Sequence, residues 1–449
     1  MSFAIFLFAL ALTYLRPIEA YAPELVVYRP MLILLLLTFA IAASHAVRAR
    51  QIASSRRIVW VLLGFAVVIP LSIAAAGWSG GAILAFVDFA PSVLFFFSTV
   101  MLVTTTARLR TTCATLVACM TVLSVFGAVA FHTGYMADKL LIAQSASDEG
   151  VTSGTGPDAI PANDTTGRLW RVRSLGFLSD PNDFGQAIVV ALPMLLAFHR
   201  RRAWLRNMVF VVAPGAVMLY GLYLTHSRGA VLGLGSALFL GIQRRVGTIR
   251  TILIVGLATA AMIALNFSGG RAYTANEESA GGRIDAWGEG LRMLVGHPLL
   301  GVGYREFTSY HPYTAHDSFV LCFAETGLIG YFLWLGLIVL TFKQLNRAAE
   351  LAPPQTEGHR WSATLRASLL GFLTCAIFLS RAYEPGFYLL LGIAGSGWYC
   401  ARRDVPTKDL PRLTEPAQWR RLTALLTVGS ITAFYLIVII KNSVIGRTI

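Results

Sequence analysis

Apolar runs long enough, or nearly long enough, to cross a hydrocarbon core of about 30 Å recur along this whole chain, separated by short polar or arginine-rich breaks. They fall at Phe3 to Leu15, Met31 to Ala46, Ile58 to Trp78, Ile83 to Thr106, Cys113 to Phe131, Phe184 to Phe198, Met208 to Leu224, Gly229 to Ile242, Thr251 to Phe267, Ser318 to Phe342, Ala367 to Leu379, Phe387 to Cys400 and Leu422 to Ile440. With 56% of its 449 residues hydrophobic and only 13% charged, the chain is no water-soluble domain. It reads as an all-α polytopic membrane protein with 12 to 13 transmembrane helices, the lower number applying if one weak run is merged or dropped.

The arginines set the orientation, because Lys and Arg in short loops are retained on the cytoplasmic side. Arg48, Arg50, Arg56 and Arg57 share one break, Arg108 and Arg110 another, Arg200 to Arg202 with Arg206 a third, and Arg244, Arg245 and Arg250 a fourth. Breaks poor in arginine alternate with these, and Lys343 to Arg366 and Arg402 to Arg421 continue the basic series. The amino terminus is therefore expected on the inner, cytoplasmic side. The first run lacks a basic flank and a cleavage site, so it reads as a retained span. The net charge of +14 is mostly this topology signal and implies no nucleic-acid partner. Cys113, Cys119, Cys322, Cys375 and Cys400 lie in or beside apolar runs, without disulfide or metal spacing, and read as packing residues.

Two long polar stretches face outward by the same argument. They divide the chain into transmembrane segments at 1–131, 184–267 and 317–449, a first periplasmic segment at 132–183 and a second at 268–316. The first opens with an aperiodic Ser, Gly, Thr and Asp-rich piece, Ser145 to Thr166, expected to be mobile, and closes with Arg171-Val-Arg173 and Asp180-Pro-Asn182-Asp183. The second contains one amphipathic helix, with Ile284, Trp287, Leu291 and Leu294 spaced three and four apart. That stripe would lie on the membrane surface or on other helices, leaving Arg283, Asp285 and Arg292 in polar surroundings. Gly296-His297-Pro298 stops the helix, and Gly301-Val-Gly303 suggests a tight return.

His316 stands just before the run that starts at Ser318. An imidazole there can be neutral near pH 7 and take a proton from a sugar hydroxyl; the alternative is that it helps cap the helix, with Asp317 or Ser318 as the true cap. Arg228 opens an apolar run on the outward side, against the arginine bias, where it either grips a phosphate in two-point contact or snorkels to lipid headgroups. Arg283, with Arg171 and Arg173, adds further outward cations. Each alone reads as a solvated loop charge, but a converging set would hold a pyrophosphate without a metal. Asp180, Asn182 and Asp183 carry oxygen ligands for a hard cation, but the turn-forming sequence and the helix behind it favour Asp183 as a cap. Glu325 lies nine residues past His316, half a turn out of phase, and is expected to pair with a neighbouring helix, helped by close approach at Gly327 and Gly330.

Thr225-His-Ser-Arg-Gly-Ala230, the Gly-His-Pro-Leu-Leu-Gly-Val-Gly run ending at Gly303, and His316 followed by Glu325-Thr-Gly-Leu-Ile-Gly330 together resemble the bacterial O-antigen ligase and O-antigen polymerase superfamily. The resemblance implies a periplasm-facing transferase, independent of metal and cofactor, that takes a glycan from an undecaprenyl-pyrophosphate carrier. In the ligase branch the acceptor is a sugar of the lipid A core, completing lipopolysaccharide. It assigns His316 as base, and Arg228 and Arg283 as the arginines on the pyrophosphate; Arg171 and Arg173 are substrate-binding candidates from their outward position alone. Relatives often carry Asn where this chain has Asp317, which puts the histidine's hydrogen-bond partner in question. The Asp180 to Asp183 stretch also resembles exosortase-associated O-glycosylation ligases. A polymerase would use the same donor with a second carrier-linked glycan as acceptor, and a lipid-linked sugar flippase would need charged residues near mid-membrane and paired interrupted helices, whereas the polar cluster here lies in outer loops.

Overall fold

The computed structural model describes residues 2–44, 56–144, 151–152, 160–164, 168–264, 278–413 and 418–445. Its long helices are α1 (Ser2–Leu15), α2 (Pro30–Ala43), α3 (Arg56–Ala75), α4 (Gly81–Leu102), α5 (Thr106–Thr133), α6 (Pro181–Leu196), α7 (Trp204–Thr225), α8 (Arg228–Val246), α9 (Thr248–Ala264), α10 (Glu278–Gly296), α11 (Ser318–Leu351), α12 (Glu357–Ala376), α13 (Pro385–Ala401) and α14 (Trp419–Ile445). Each apolar run read from the sequence overlaps one of them over the described residues, and α10 is the amphipathic helix of the second polar stretch. Among the described residues, α3, α4, α5, α7, α11 and α14 are long and apolar enough to cross a bilayer by themselves. Helices α1, α2, α8 and α9 are apolar but shorter. The chain is a multi-pass membrane protein.

One expectation is corrected: the polar segment after α5 is not wholly irregular. Leu141–Gln144 (β1), Val151–Thr152 (β2) and Leu169–Val172 (β3) form an antiparallel sheet in the order β2-β1-β3. Most of Ser145 to Thr166, read as mobile, lies outside the described residues.

The chain divides into two compact units. The first comprises 1–44, 102–271 and 354–375. Small residues bring its helices together: a Cβ on Gly185 would stand 2.9 Å from that of Ala230, and one on Gly233 3.0 Å from the Gly371 carbonyl oxygen, so α6, α8 and α12 pack almost backbone to backbone. Gln186 donates to the Phe372 carbonyl at 3.1 Å and Ser368 to that of Val190 at 2.8 Å across the same contacts.

The second unit comprises 45–101, 272–353 and 376–449. Helix α11 runs antiparallel to α3, with Gly330 against Val68, Leu333 against Gly64 and Gly336 against Val61. It is not one helix. Gly327 has φ 63 and ψ −168, so Ser318 to Thr326 and Leu328 to Leu351 are separate segments. Phe319 and Trp334 would be about 22 Å apart along a straight helix, yet their rings meet edge to face at 5.2 Å. The chain is folded back sharply at the glycine.

A break inside an apolar bundle orphans backbone amides and carbonyls, each costly to bury unpaired. The return after α10 supplies the partners. Val302 and Gly303 donate to the carbonyls of Ala324 and Glu325 at 3.0 and 3.1 Å, while Leu328 and Ile329 donate to Pro298 and Leu299 at 2.8 and 3.3 Å. Backbones this close leave no room for side chains. Gly301, at φ 70, lies where a Cβ would come 2.3 Å from the Glu325 carbonyl carbon, and one on Gly327 would come 2.4 Å from that of Leu299. Close approach at Gly327 is therefore to a loop, not to the neighbouring helix the sequence suggested. Gly327→Ala should cost about 2–4 kcal/mol through strain and clash, whereas Gly282→Ala, where a methyl meets nothing within 4 Å, should be neutral or slightly stabilising. Equal melting temperatures for the two purified variants would contradict the docking.

Candidate functional site

The first turn of α11 is positioned from several sides within the second unit. Asp317 is its N-cap: Oδ1 accepts from the amides of Phe319 at 2.7 Å and Val320 at 3.0 Å. Capping is thus done by Asp317, and the half-buried His316 before it takes a left-handed conformation at φ 48. A non-glycine residue there costs about 1 kcal/mol or more and persists only where its surroundings over-determine it. They do so here. Trp287 Nε1 on α10 donates to the Ala315 carbonyl at 3.1 Å. Thr314 donates to Ser380 at 2.8 Å, and Ser318 Oγ, which donates to the Leu379 carbonyl, accepts from the Arg381 amide at 2.9 Å.

Helix α10 carries Arg283 one turn before Trp287, on the same face, so the tryptophan that fixes the chain at Ala315 also ties the arginine's helix to the His316 segment. The apolar stripe lies on other helices: Gly290 packs on Val320, Gly288 on Val438, and the Trp287 ring meets Phe434 at 5.1 Å. At the start of α10, Lys441 of α14 binds Asp285 at 2.5 Å and the Gly281 carbonyl at 2.8 Å. The structure therefore brings His316 and Arg283 into one framework.

Glu325 is buried and accepts from the Phe307 amide at 3.1 Å. Around it stands a polar and aromatic cluster that the sequence reading missed. Arg305, left-handed at φ 62, pairs with Asp88 at 3.2 Å, and Arg381 pairs with Glu384 at 3.1 Å. The Tyr304 and Tyr383 rings meet at 4.8 Å, with the Arg305 guanidinium over the Tyr304 ring. Burial works to lower Arg305, but Tyr304, Glu384, Asp88 and Glu325 outweigh it and hold the guanidinium above its usual range. Both phenols are pushed up, chiefly by burial. Nothing local in the sequence marks these residues, which are joined only by tertiary structure.

The first unit holds the other three arginines. Helix α7 ends and α8 begins at Thr225-His-Ser-Arg228: His226 is left-handed at φ 47, Ser227 accepts from the Ala230 amide at 3.3 Å as N-cap, and half-buried Arg228 is the first helical residue. Buried Arg171 supports this junction, its Nε donating to the Thr225 carbonyl at 2.8 Å and its Nη2 to Asn182 Oδ1 at 3.0 Å. It links β3, the start of α6 and the α7–α8 turn. Arg173 donates to the Asp138 carbonyl at 3.3 Å, and burial lowers its pKa against the opposing pull of Asp180 and Asp138. The cap of α6 is Asp180, which accepts from the Asn182 amide at 2.7 Å, and not Asp183, because Pro181 fits the first helical position and starts the helix earlier. Asp180 and Asn182 are thus engaged in capping and in holding Arg171. Among the described residues, no three His, Cys, Asp or Glu side chains are grouped to hold a metal.

Residues 213–335 match the family model described as O-antigen ligase. That match supports a place for this segment in the O-antigen ligase and polymerase superfamily. No curated protein matches the chain. The O-antigen ligase segment contains Arg228, Arg283 and His316, whereas Arg171 and Arg173 precede it. The family implies a glycosyltransferase-type enzyme of lipopolysaccharide biosynthesis, acting on a lipid-linked glycan and a lipid acceptor.

The cap itself gives a test. Burial pushes the Asp317 carboxyl up to about 7 from 3.8, against the two amide hydrogen bonds that lower it. Because the folded-state pKa is the higher one, the folded protein keeps a proton that the unfolded chain releases. Stability is full below pH 3.8 and declines as pH rises toward 7. Asp317→Asn, which retains an accepting oxygen, should flatten the melting temperature across that window; an unchanged pH slope would remove Asp317 as its source.

Proposed function

We propose that the chain is an O-antigen ligase that moves a glycan from undecaprenyl pyrophosphate to a sugar hydroxyl of lipid A-core at the periplasmic face of the inner membrane, without metal or cofactor. The reading rests on one observation: the matched segment encloses a histidine held in a strained backbone conformation by tethers from α10, from the 379–381 strand of chain and from its own cap. Rigid placement of a base at a reacting hydroxyl is worth far more than proximity alone.

In this mechanism His316 takes the proton of the acceptor hydroxyl as its oxygen forms a bond to the anomeric carbon. The bond from that carbon to the pyrophosphate oxygen breaks, and its electron pair leaves with the diphosphate. The transition state is oxocarbenium-like, and a single displacement inverts the anomeric configuration. Arg283, on the helix tethered to the His316 segment, takes the growing negative charge by two-point contact. In the first unit Arg228 is the arginine assigned to donor binding, and Arg171 holds the turn that presents it. The isoprenoid tail of the donor stays in lipid.

Full-length protein in nanodiscs, with undecaprenyl-pyrophosphate glycan, lipid A-core and EDTA, should yield a larger lipopolysaccharide band. Elongation of the carrier-linked glycan instead would assign a polymerase. His316→Ala should abolish turnover and leave donor binding intact, and Arg228→Ala should weaken donor binding about tenfold or more; full activity of the histidine variant would remove it from the mechanism. Trp287→Phe keeps the ring packing but loses the bond to Ala315, so kcat should fall with little change in donor KM, and a donor KM effect alone would argue against positioning.

A further inference from the structure

The carboxylate and tyrosine cluster of the second unit has no part in the mechanism above, yet the same stretch of chain builds it and holds His316. Ser380 and the Arg381 amide bond to Thr314 and Ser318, on either side of His316, and three residues later Glu384 enters the cluster. One stretch of chain therefore anchors both the cluster and the segment that carries the base.

Charge decides what that can be. Asp88, Glu325 and Glu384 face two guanidiniums, Arg305 and Arg381. The three carboxylates outnumber the two guanidiniums, so the cluster disfavours a diphosphate. The groups suit a neutral hydroxylated ligand: carboxylates accept from hydroxyls, guanidiniums donate to them, and tyrosine rings offer a flat apolar face. A buried carboxyl–phenol pair, Glu325 with the Tyr383 hydroxyl on residues 1% and 7% exposed, forms the floor of the cluster. Its rim is accessible, with the Arg305 side chain 56% and that of Asp88 37% exposed.

We propose that Asp88, Arg305, Arg381 and Glu384, set around Tyr304 and Tyr383, form the subsite that binds the acceptor through the hydroxyls of a neutral sugar and presents one of them to His316. This rests on the transferase reading for its role, but binding can be measured without turnover. Full-length protein in nanodiscs would be titrated by calorimetry with lipid A-core in the absence of donor, and separately with undecaprenyl-pyrophosphate glycan. The expected result is acceptor binding by the wild type, weakened at least tenfold in Glu384→Gln and in Asp88→Asn, with donor binding and melting temperature unchanged. Asp88→Asn alters an exposed pair and serves if Glu384→Gln fails to fold. Wild-type affinity for the acceptor in a folded variant, equal loss of donor affinity, or no acceptor binding by the wild type would each overturn the subsite. Acceptor binding with the expected losses but no transfer product would sustain it and overturn the proposed function instead.

Discussion

Everything positioned around His316 depends on how the second unit satisfies backbone groups where α11 is broken. An apolar bundle supplies no water to amides released by a helix break, and an unpaired buried amide costs several kcal/mol. The return from Pro298 to Gly303 answers with four backbone hydrogen bonds, two to carbonyls before Gly327 and two from amides after it. The segment from Ser318 to Thr326 can then leave the line of the span, turn back beside Trp334 and carry its capped end to the place where Trp287, Ser380 and Arg381 hold it. Glycine is required at Gly301 and Gly327 because a Cβ would run into backbone, that of Ala324 and Glu325 at the first and that of Leu299 and Leu300 at the second.

The same local device starts a helix in each unit. His226 and His316 both adopt a left-handed conformation, at φ 47 and 48, and each is followed by a capping side chain, Ser227 or Asp317, and then the first helical residue. Each reverses the chain and sets the residue of interest at a helix origin: Arg228 as the first helical residue in one unit, His316 just ahead of the cap in the other. Both origins are braced from a distance, one by Arg171 and one by Trp287.

The helices were legible because apolar runs interrupted by arginine tracts admit few other arrangements, and the stop at Gly296-His297-Pro298 was legible because it is written in local chemistry. The break at Gly327 was not. Glu325-Thr-Gly-Leu-Ile-Gly330 reads as continuous apolar helix, and only the loop docked against it reveals the interruption. The motif residues Arg228, Arg283 and His316 stood out by position, but Arg171 looked like a solvated loop charge until its bonds to Thr225 and Asn182 were seen. Asp180 displaced Asp183 as cap for a local reason, Pro181, that could have been weighed from sequence. Asp88, Arg305 and Glu384 are far apart along the chain and ordinary in isolation, so no pattern could have joined them.

Lys441 gives the final helix a reach that its apolar composition hides. By clasping Asp285 and the Gly281 carbonyl, the outermost turn of α14 braces the beginning of α10, whose tryptophan in turn steadies the peptide just ahead of the histidine. A perturbation at the far tip of that rod, such as an unwound turn or a bulky fusion, would propagate along a mechanical linkage to a residue more than a hundred positions earlier, without touching any group that meets a substrate.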